Sequence, residues 1–396
     1  MDLNSIGYNF FTKNIFINEI MNRESELRCV NIMKILNEVK KQQHIIPLKR
    51  ATIGFDGYID ELLYVVKNRK NSSRYEPFKS IREFGNFIVK KGINCGLEMI
   101  SMEKKIGGNG PILANALSSM GVYVNCIGTF GEPELQNSFL ESKISNLISI
   151  GNAAYALVFE FHDGKLMFGK IESLNKVTWD YLIRKVGLNK FINYLNKSDV
   201  IGITNWSQII NSNNIWEGIL KNCMPDLDKS KKRYIFFDLA DPSQREKDEF
   251  LRALKIIEEY GNFGTNILGL NLKEVEIVYL SLFGKNDFEK DIIFMGKRIF
   301  DKLNIKMLVI HSSQFATVFF NGKVITKNCL RIRNPKLLTG CGDNFNAGFC
   351  LGLLIGIPIN LCLELGIYVA TYYITNGKSP DFNELLDFIS TKGEKK

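Results

Sequence analysis

Thr339-Gly340-Cys341-Gly342-Asp343, followed by Asn344-Phe345-Asn346-Ala347-Gly348 and an apolar run, is the segment whose residue types point to the most specific chemistry. Its two glycines allow a tight turn and close backbone approach, so that successive N–H groups can converge on one anion at the positive end of the following helix. Phosphoryl transfer uses such an anion hole, because the charge that develops on the moving group is met by preorganised donors. Asp343 falls in the first turn of that helix, where the macrodipole favours its ionised form. There it can take the proton of an attacking hydroxyl. Spacing alone equally allows a helix cap at Asp343 and a plain turn at the glycines, and Ala347 and Gly348 suit close helix packing.

Four further segments place polar groups at strand ends or helix starts. In Gly54-Phe55-Asp56-Gly57-Tyr58-Ile59-Asp60, a continuing strand would put Asp56, Tyr58 and Asp60 on one face. The two oxygens of a carboxylate can accept both hydroxyls of a vicinal diol; Asp56 could equally end the strand by bonding its own backbone. Ile106-Gly107-Gly108-Asn109-Gly110-Pro111 precedes an amphipathic helix from Ile112 to Met120 and a strand ending Ile127-Gly128. Asn271-Leu272-Lys273-Glu274 reads as a helix start with Asn as N-cap and Glu at the third position. Phe237-Asp238-Leu239-Ala240-Asp241-Pro242, with Arg245 beyond, sits at a strand's carboxyl end, where α/β proteins normally bind ligands.

Residues 339 to 348 resemble the C-terminal signature of the ribokinase-like, or PfkB-type, carbohydrate kinases, usually D-T-x-G-A-G-D-x-F-x-A-G, and the resemblance extends over roughly residues 51 to 390. It implies that Asp343 is the catalytic base and that the backbone of Gly340, Cys341 and Gly342 forms the anion hole. It likewise implies that Gly107, Gly108 and Asn109 reach sugar hydroxyls, with Ile127-Gly128-Thr129-Phe130-Gly131 matching a later I-G-x-x-G stretch. Asp60 is the first choice for the diol-binding carboxylate and Asp56 the second. The N-x-x-E element of the family falls on Asn271 and Glu274, linked to phosphate and to Mg²⁺ held through water. His311, Ser312 and Thr339 join Asn271 as nucleotide-binding candidates, and Phe237 to Arg245 resembles F-D-P-N-x-R. Three departures stand out. Leu337 and Leu338 replace the usual D-T, whose Asp often helps hold a monovalent cation, so activation by such a cation is in doubt. His311 to Ala316 replaces T-x-G-x-x-G, and Pro133 replaces a residue of the usual G-D-D turn.

The elements that must position these groups follow from periodicity. Residues 1 to 50 read as an N-terminal helical extension, with Val30, Met33, Ile35 and Leu36 near helical spacing. From Ala51 short apolar runs alternate with amphipathic stretches, the pattern of β-α units around a mostly parallel sheet. Strands are expected at Ala51 to Phe55, Tyr123 to Ile127, Val200 to Ile203, Tyr234 to Phe237, Ile267 to Gly269, Met307 to Ile310 and Thr317 to Phe320. Segments near 60–66, 97–105 and 153–171, the last with a turn at His162-Asp163-Gly164, fit a small β-rich lid. With the resemblance, the expected fold is α/β, a ribokinase-like three-layer kinase domain over 51–396 carrying that lid. Leu62, Tyr64, Tyr155, Leu157 and Phe159 give the lid an apolar face. A homodimer through the lid would cover it, or else the N-terminal extension would.

Composition narrows the classes. The 396 residues are 45% hydrophobic and 23% charged, which is ordinary for a globular protein and far from disordered or disulfide-dense chains. A net charge of +9 is spread along the chain and helps attract an anionic nucleotide. The densest basic cluster, Lys229 to Arg233, lacks aromatic interleaving and reads as a solvated loop, so no nucleic-acid partner is expected. Eight scattered cysteines and three histidines do not form a zinc pattern. With no secretory signal, a cytoplasmic protein with reduced thiols is expected. The uncharged stretch from Asn344 to Leu363 contains Pro358 and several Asn and Gly residues, and reads as two buried helices rather than a membrane span. The expected activity is ATP- and Mg²⁺-dependent transfer of a γ-phosphoryl group to a hydroxyl of a sugar, sugar phosphate or nucleoside. The alternative is a non-catalytic or weakly active regulatory paralogue of the same fold. A Rossmann dehydrogenase is disfavoured, because no GxGxxG opens the first β-α unit.

Overall fold

The apolar runs from Ala51 to Ile310 line up side by side in the computed structural model, which describes residues 32–284, 291–332 and 335–394. In chain order the strands are β1 (Arg50–Gly54), β2 (Tyr58–Arg69), β3 (Tyr75–Pro77), β4 (Met99–Gly107), β5 (Tyr123–Gly128), β6 (Asn146–Ser149) and β7 (Ala154–Phe161). They continue with β8 (Gly164–Lys170), β9 (Val200–Ile203), β10 (Tyr234–Asp238), β11 (Thr265–Asn271), β12 (Met307–His311), β13 (Phe315–Phe320) and β14 (Lys323–Asn328). Nine of them form one sheet in the order β14-β13-β12-β11-β10-β9-β1-β5-β6. Pairing is parallel from β12 to β6 and antiparallel in the β12-β13-β14 edge. The central strands are buried on both faces and therefore read as continuous apolar runs.

Helices cover both faces of this sheet and give the three layers. On one face Asn109–Ser119, Cys341–Leu354 and Ile359–Asn376 pack with Val124, Phe236, Val309 and Val318. On the other, Ser212–Asn222, Lys247–Tyr260 and Leu272–Phe283 pack with Ile201, Phe237, Leu268 and Ile310. The alternation of inward sides along each strand thus feeds two cores. The uncharged stretch from 344 forms parts of two helices joined at Gly356, whose φ is +72°. A Cβ at Gly348 would lie 2.8 Å from Leu365 O, so that glycine lets the two helices touch. Among the described residues no helix is long and apolar enough to cross a membrane.

The second sheet is the lid. β2 pairs with β4 and β3 antiparallel and with β7 parallel, and β7 pairs with β8 antiparallel through the turn at His162 and Asp163. Its two faces differ from the single apolar face expected. Tyr58, Leu62, Ala156 and Val158 turn inward onto the main core. Leu63, Val65, Phe159 and Phe161 turn outward and are covered by Phe78 and Phe84, the latter on the helix Ile81–Lys91. Tyr155 and Phe168 remain exposed.

Helix 32–42 buries Ile32, Ile35, Leu36 and Val39 in the main core beside Leu117 and Val122, while Met33 is exposed. The described part of the expected N-terminal extension therefore packs on the sheet layer and not on the lid. Val30 and the rest of residues 1–31 lie outside the described residues. In the basic cluster, Arg233 is buried and donates to the carbonyls of Asp228 and Asn196, which makes the cluster a loop staple.

Candidate active site

The carboxyl ends of β1, β9, β10 and β11 open towards the lid, and the start of the helix Cys341–Leu354 enters the same space. Gly340 holds φ +87° as the residue before that helix, and a Cβ there would lie 2.9 Å from Tyr373 Oη and 3.1 Å from Ile112 Cδ1. Only glycine meets both demands. Cys341 N donates back to Leu338 O at 3.3 Å, so this N–H is engaged within the turn. The first-turn donors left to face an anion are those of Gly342 and Asp343. Of the 340–342 backbone expected to form the anion hole, the Cys341 N–H is the one bonded within the turn.

Asn109 links this turn to the opposite wall. Its Nδ2 donates to Asp343 Oδ1 at 3.1 Å and lies 3.4 Å from Asp238 Oδ1. Asp238 also accepts from Ala240 N at 2.9 Å and from Asn346 Nδ2 at 3.1 Å. The strand does not continue through Asp56 as alternation assumed: β1 stops at Gly54, β2 begins at Tyr58, and Asp56 lies in the connection. Both Asp56 oxygens are engaged by protein, Oδ1 by Gly110 N at 3.0 Å and Oδ2 by Asn205 Nδ2 at 2.6 Å. Asp56 therefore braces the start of the helix Asn109–Ser119. Asp60 lies within the lid sheet, directly opposite Lys105. Gly107 and Gly108 make room for the acids: a Cβ at Gly107 would fall 1.9 Å from Asp60 Oδ1, and one at Gly108 2.5 Å from Asp56 Oδ2. Thr129 of the I-G-x-x-G stretch donates to Gly57 O at 3.1 Å beside the same hinge.

Asn271 and Glu274 close on each other. Asn271 Oδ1 accepts from Glu274 N at 3.0 Å, and the carboxylate accepts from Asn271 N at 2.8 Å and Nδ2 at 2.6 Å. This is the expected capping box, and it buries Glu274 facing the acids of the site. His311 packs on Phe345 with ring centroids 5.2 Å apart, beneath Gly342, and burial pulls its pKa down to about 4, so the ring is neutral. Ser312 spends its hydroxyl on the β12-β13 turn, donating to Phe315 O and accepting from Gln314 N and Phe315 N. Thr339 Oγ1 meets the lid, donating to Glu160 and accepting from Lys165. Arg245 stacks over Trp206 at 4.3 Å and donates to the carbonyls of Trp206, Ser207, Ile209 and Ile210, which stiffens the loop after β9.

Buried acids share one field here. Burial first, then Asp238 and Asp56, holds Asp343 well above the ordinary carboxylate range, with the Asn109 bond opposing the rise. Burial raises Asp238 to about 6, helped by Asp56. Glu274 is raised by burial, then by Asp238, Asp241 and Asp343. Asp60 rises to about 6 by burial, moderated by Lys105 and Lys165. Such a cluster resists full ionisation. Tyr58 Oη, Asn205 Oδ1 and Asn346 Oδ1 are buried beside these acids without a hydrogen-bond partner among the described residues, and unpaired buried polar atoms of this kind suit a polar ligand. Among the described residues no three His, Cys, Asp or Glu side chains are grouped to hold a metal directly.

Of the residues named from sequence, the structure groups Asn109, Asp343 and Glu274 with Asp60 of the lid around one space. Sequence reasoning missed Lys105, Lys165, Glu160, Asn205, Asn346 and Tyr373. The two lysines carried a readable signal, since each stands on a lid strand at the parity of an inward residue. The others carried none without the register.

A family model described as prokaryotic ketohexokinase matches residues 35–392. The ketohexokinase of Haloferax volcanii is 25% identical over 345 residues, covering 86% of this chain and 91% of the relative. Arabidopsis thaliana ribokinase, solved with ribose and ATP, matches with a TM-score of 0.60 at 15% identity, over 86% of this chain and 98% of that one. A putative ribokinase II from E. coli, solved with ATP and Mg²⁺, also gives 0.60, at 14% identity over 87% of this chain and 99% of that one. At such identities the two structures speak for the ribokinase-like fold.

Proposed function

The chain belongs to the prokaryotic ketohexokinase family and is a carbohydrate kinase, and from that premise we propose that Asp343 is the base that activates a sugar hydroxyl for attack on the γ-phosphoryl group of ATP. The observation that supports this most is the placement of Asp343 in the first turn of the helix after Gly340, bonded to Asn109 and under a lid that carries Asp60. A base, an anion site and an acceptor carboxylate are the groups the transfer needs.

In this reading Asp60 accepts hydroxyls of the acceptor, and Tyr58 Oη and Asn205 Oδ1 supply further polar contacts. The transferred group lies against the N–H groups of Gly342 and Asp343. The attacking oxygen gives its proton to Asp343 as its bond to phosphorus forms and the bond to the bridging oxygen of ADP breaks. Closure of the lid keeps water from taking the acceptor's place. The site's acids suit Mg²⁺ held through water and nucleotide phosphates, since Glu274, Asp238 and Asp241 face one region. When bound, Mg²⁺ supplies charge neutralisation at the phosphate oxygens. The Leu337 side chain is buried among apolar groups and offers no carboxylate oxygen to a monovalent cation.

Ketohexoses lead the acceptor candidates because of the relative's name, with other sugars, sugar phosphates and nucleosides behind them. A phosphate-transfer screen with Mg-ATP over these compounds, run beside Asp343→Ala, tests the reading. Transfer to none of them, or equal transfer by the variant, would overturn it. A lid-mediated homodimer would rest on Tyr155 and Phe168, the outward side chains that the helix Ile81–Lys91 leaves exposed.

A further inference from the structure

Two lysines of the lid reach the site, and the reaction as described gives them no task. Lys105 stands directly opposite Asp60 across the β2-β4 pair, and Lys165 directly opposite Glu160 across the β7-β8 pair. Residues 60, 156, 158 and 160 share the inward parity of the lid, so both lysines lie on the inner face. Lys165 ends on a residue of the glycine turn, and Lys105 reaches the same residue only through a tyrosine hydroxyl. Lys165 Nζ donates to Thr339 Oγ1 at 3.0 Å. Lys105 Nζ donates to Tyr373 Oη at 3.3 Å, and that hydroxyl donates to Thr339 O at 2.8 Å. Thr339 immediately precedes Gly340.

The two cations have different surroundings. Burial lowers the Lys105 pKa, and Asp60 is the chief group opposing that fall. Lys165 is also lowered by burial, and it feels Glu160, Asp60 and then Asp343 and Cys341 of the turn. A half-buried ammonium loses much of its hydration and is kept only where anionic partners replace it. Lys165 thus ends where negative charge must collect during transfer, whereas Lys105 ends on Tyr373, opposite Asp60 in the lid and within its field.

We propose that Lys165 is a further catalytic residue: the closed lid brings its ammonium to the equatorial oxygens of the phosphoryl group at the glycine turn, completing the positive side of the phosphoryl site. Lys105 is a positioning residue that holds Asp60 for the acceptor. The inference rests on the phosphotransfer reading above. Bond changes are those of that reading. The acceptor oxygen bonds to phosphorus, the bond to the bridging oxygen breaks with its electron pair leaving on ADP, and the acceptor proton goes to Asp343. No proton leaves Lys165, which stays an ammonium throughout and acts by charge.

Full-length Lys165→Gln, Lys165→Arg and Lys105→Gln proteins, with folding checked by thermal melting, separate this role from a mere latch. Glutamine can still donate to Thr339, so a latch survives in Lys165→Gln, whereas a charge role does not. The expected result is a kcat about 10²-fold lower in Lys165→Gln with both KM values changed by less than about threefold, and recovery of at least about tenfold in Lys165→Arg. Lys105→Gln should instead raise the acceptor KM. As a second readout, Mg-ADP with aluminium fluoride and acceptor mimics the group in flight, and Lys165→Gln should lose about 10-fold or more in affinity for that mixture relative to Mg-ADP alone. Wild-type turnover retained in Lys165→Gln, or equal losses in the glutamine and arginine variants, would sink the Lys165 role and leave the kinase reading standing. No transfer by the wild type to any acceptor screened would sink both.

Discussion

Asn109 donates its amide to Asp343 at 3.1 Å, so the first residue of the helix that follows the lid's β4 directly contacts the proposed base. That bond opposes the rise that burial imposes on Asp343. Replacing Asn109 with Leu removes the bond while keeping the volume. Since only the ionised carboxylate accepts the acceptor proton, the rising limb of kcat against pH should move to higher pH, and kcat at neutral pH should fall by about 10-fold or more. A pH-rate profile that keeps its position would disprove the coupling.

Asp343→Asn should lower turnover by about 10²-fold or more while nucleotide affinity is kept roughly constant. The same substitution should stabilise the protein at alkaline pH. A carboxyl whose folded pKa is raised contributes stability that is complete below its unfolded pKa and is lost as pH rises through the folded value. The variant has no such loss. Its melting temperature should exceed the wild type's at pH 8, with the gap closing towards pH 4; a gap that widens on acidification would contradict the assigned direction.

For Asp60, burial places the pKa at about 6, and only the charged form accepts two hydroxyls without competing as a donor. Acceptor binding should therefore weaken as pH falls through about 6. Asp60→Ala should weaken acceptor binding far more than ATP binding and should flatten that pH dependence. Titration calorimetry at pH 5 and pH 7.5 measures both, and a larger loss for ATP would remove Asp60 from the acceptor site.

Gly107→Ala tests space rather than charge. The added methyl would meet the Asp60 carboxylate at 1.9 Å, so the carboxylate must move. Acceptor KM should rise by about 10-fold or more while kcat at saturation falls less. An unchanged KM would show that Asp60 relaxes at no cost to binding.

Removing residues 1 to 42 strips Ile32, Ile35, Leu36 and Val39 from the main core. At about 1.5 to 3 kcal/mol for each buried aliphatic side chain, the stability lost should be at least several kcal/mol. Urea denaturation would show it. A truncated protein as stable as the full chain would contradict this placement.

The glycine turn, the Gly107-Gly108-Asn109 segment and the central strands could be read from sequence because their causes are local: backbone conformations that exclude a Cβ, helix starts, and uninterrupted apolar runs. β6 and β14 could not. Both are edge strands with partly exposed residues, and their polar, mixed composition resembles loops. Nor could the hydroxyl of Ser312 be assigned, since a turn-closing Ser and a ligand-binding Ser look alike until the β12-β13 register is known. Lys105 meets Asp60 only through the pairing of β4 with β2, strands separated widely in sequence, whereas Lys165 faces Glu160 across the β7-β8 hairpin, where strand parity alone points it inward.

The run from Lys105 to Asn109 is short and lacks a flexible linker: β4 ends at Gly107 and the helix starts at Asn109. Free-energy changes made at its two ends should therefore fail to add. In a double-mutant cycle between Lys105→Gln and Asp343→Asn, read out as nucleotide affinity in the presence of acceptor, an interaction energy above about 0.5 kcal/mol is expected. Strict additivity would mean that the lid and the base, although joined by a few residues of one segment, answer to ligands independently.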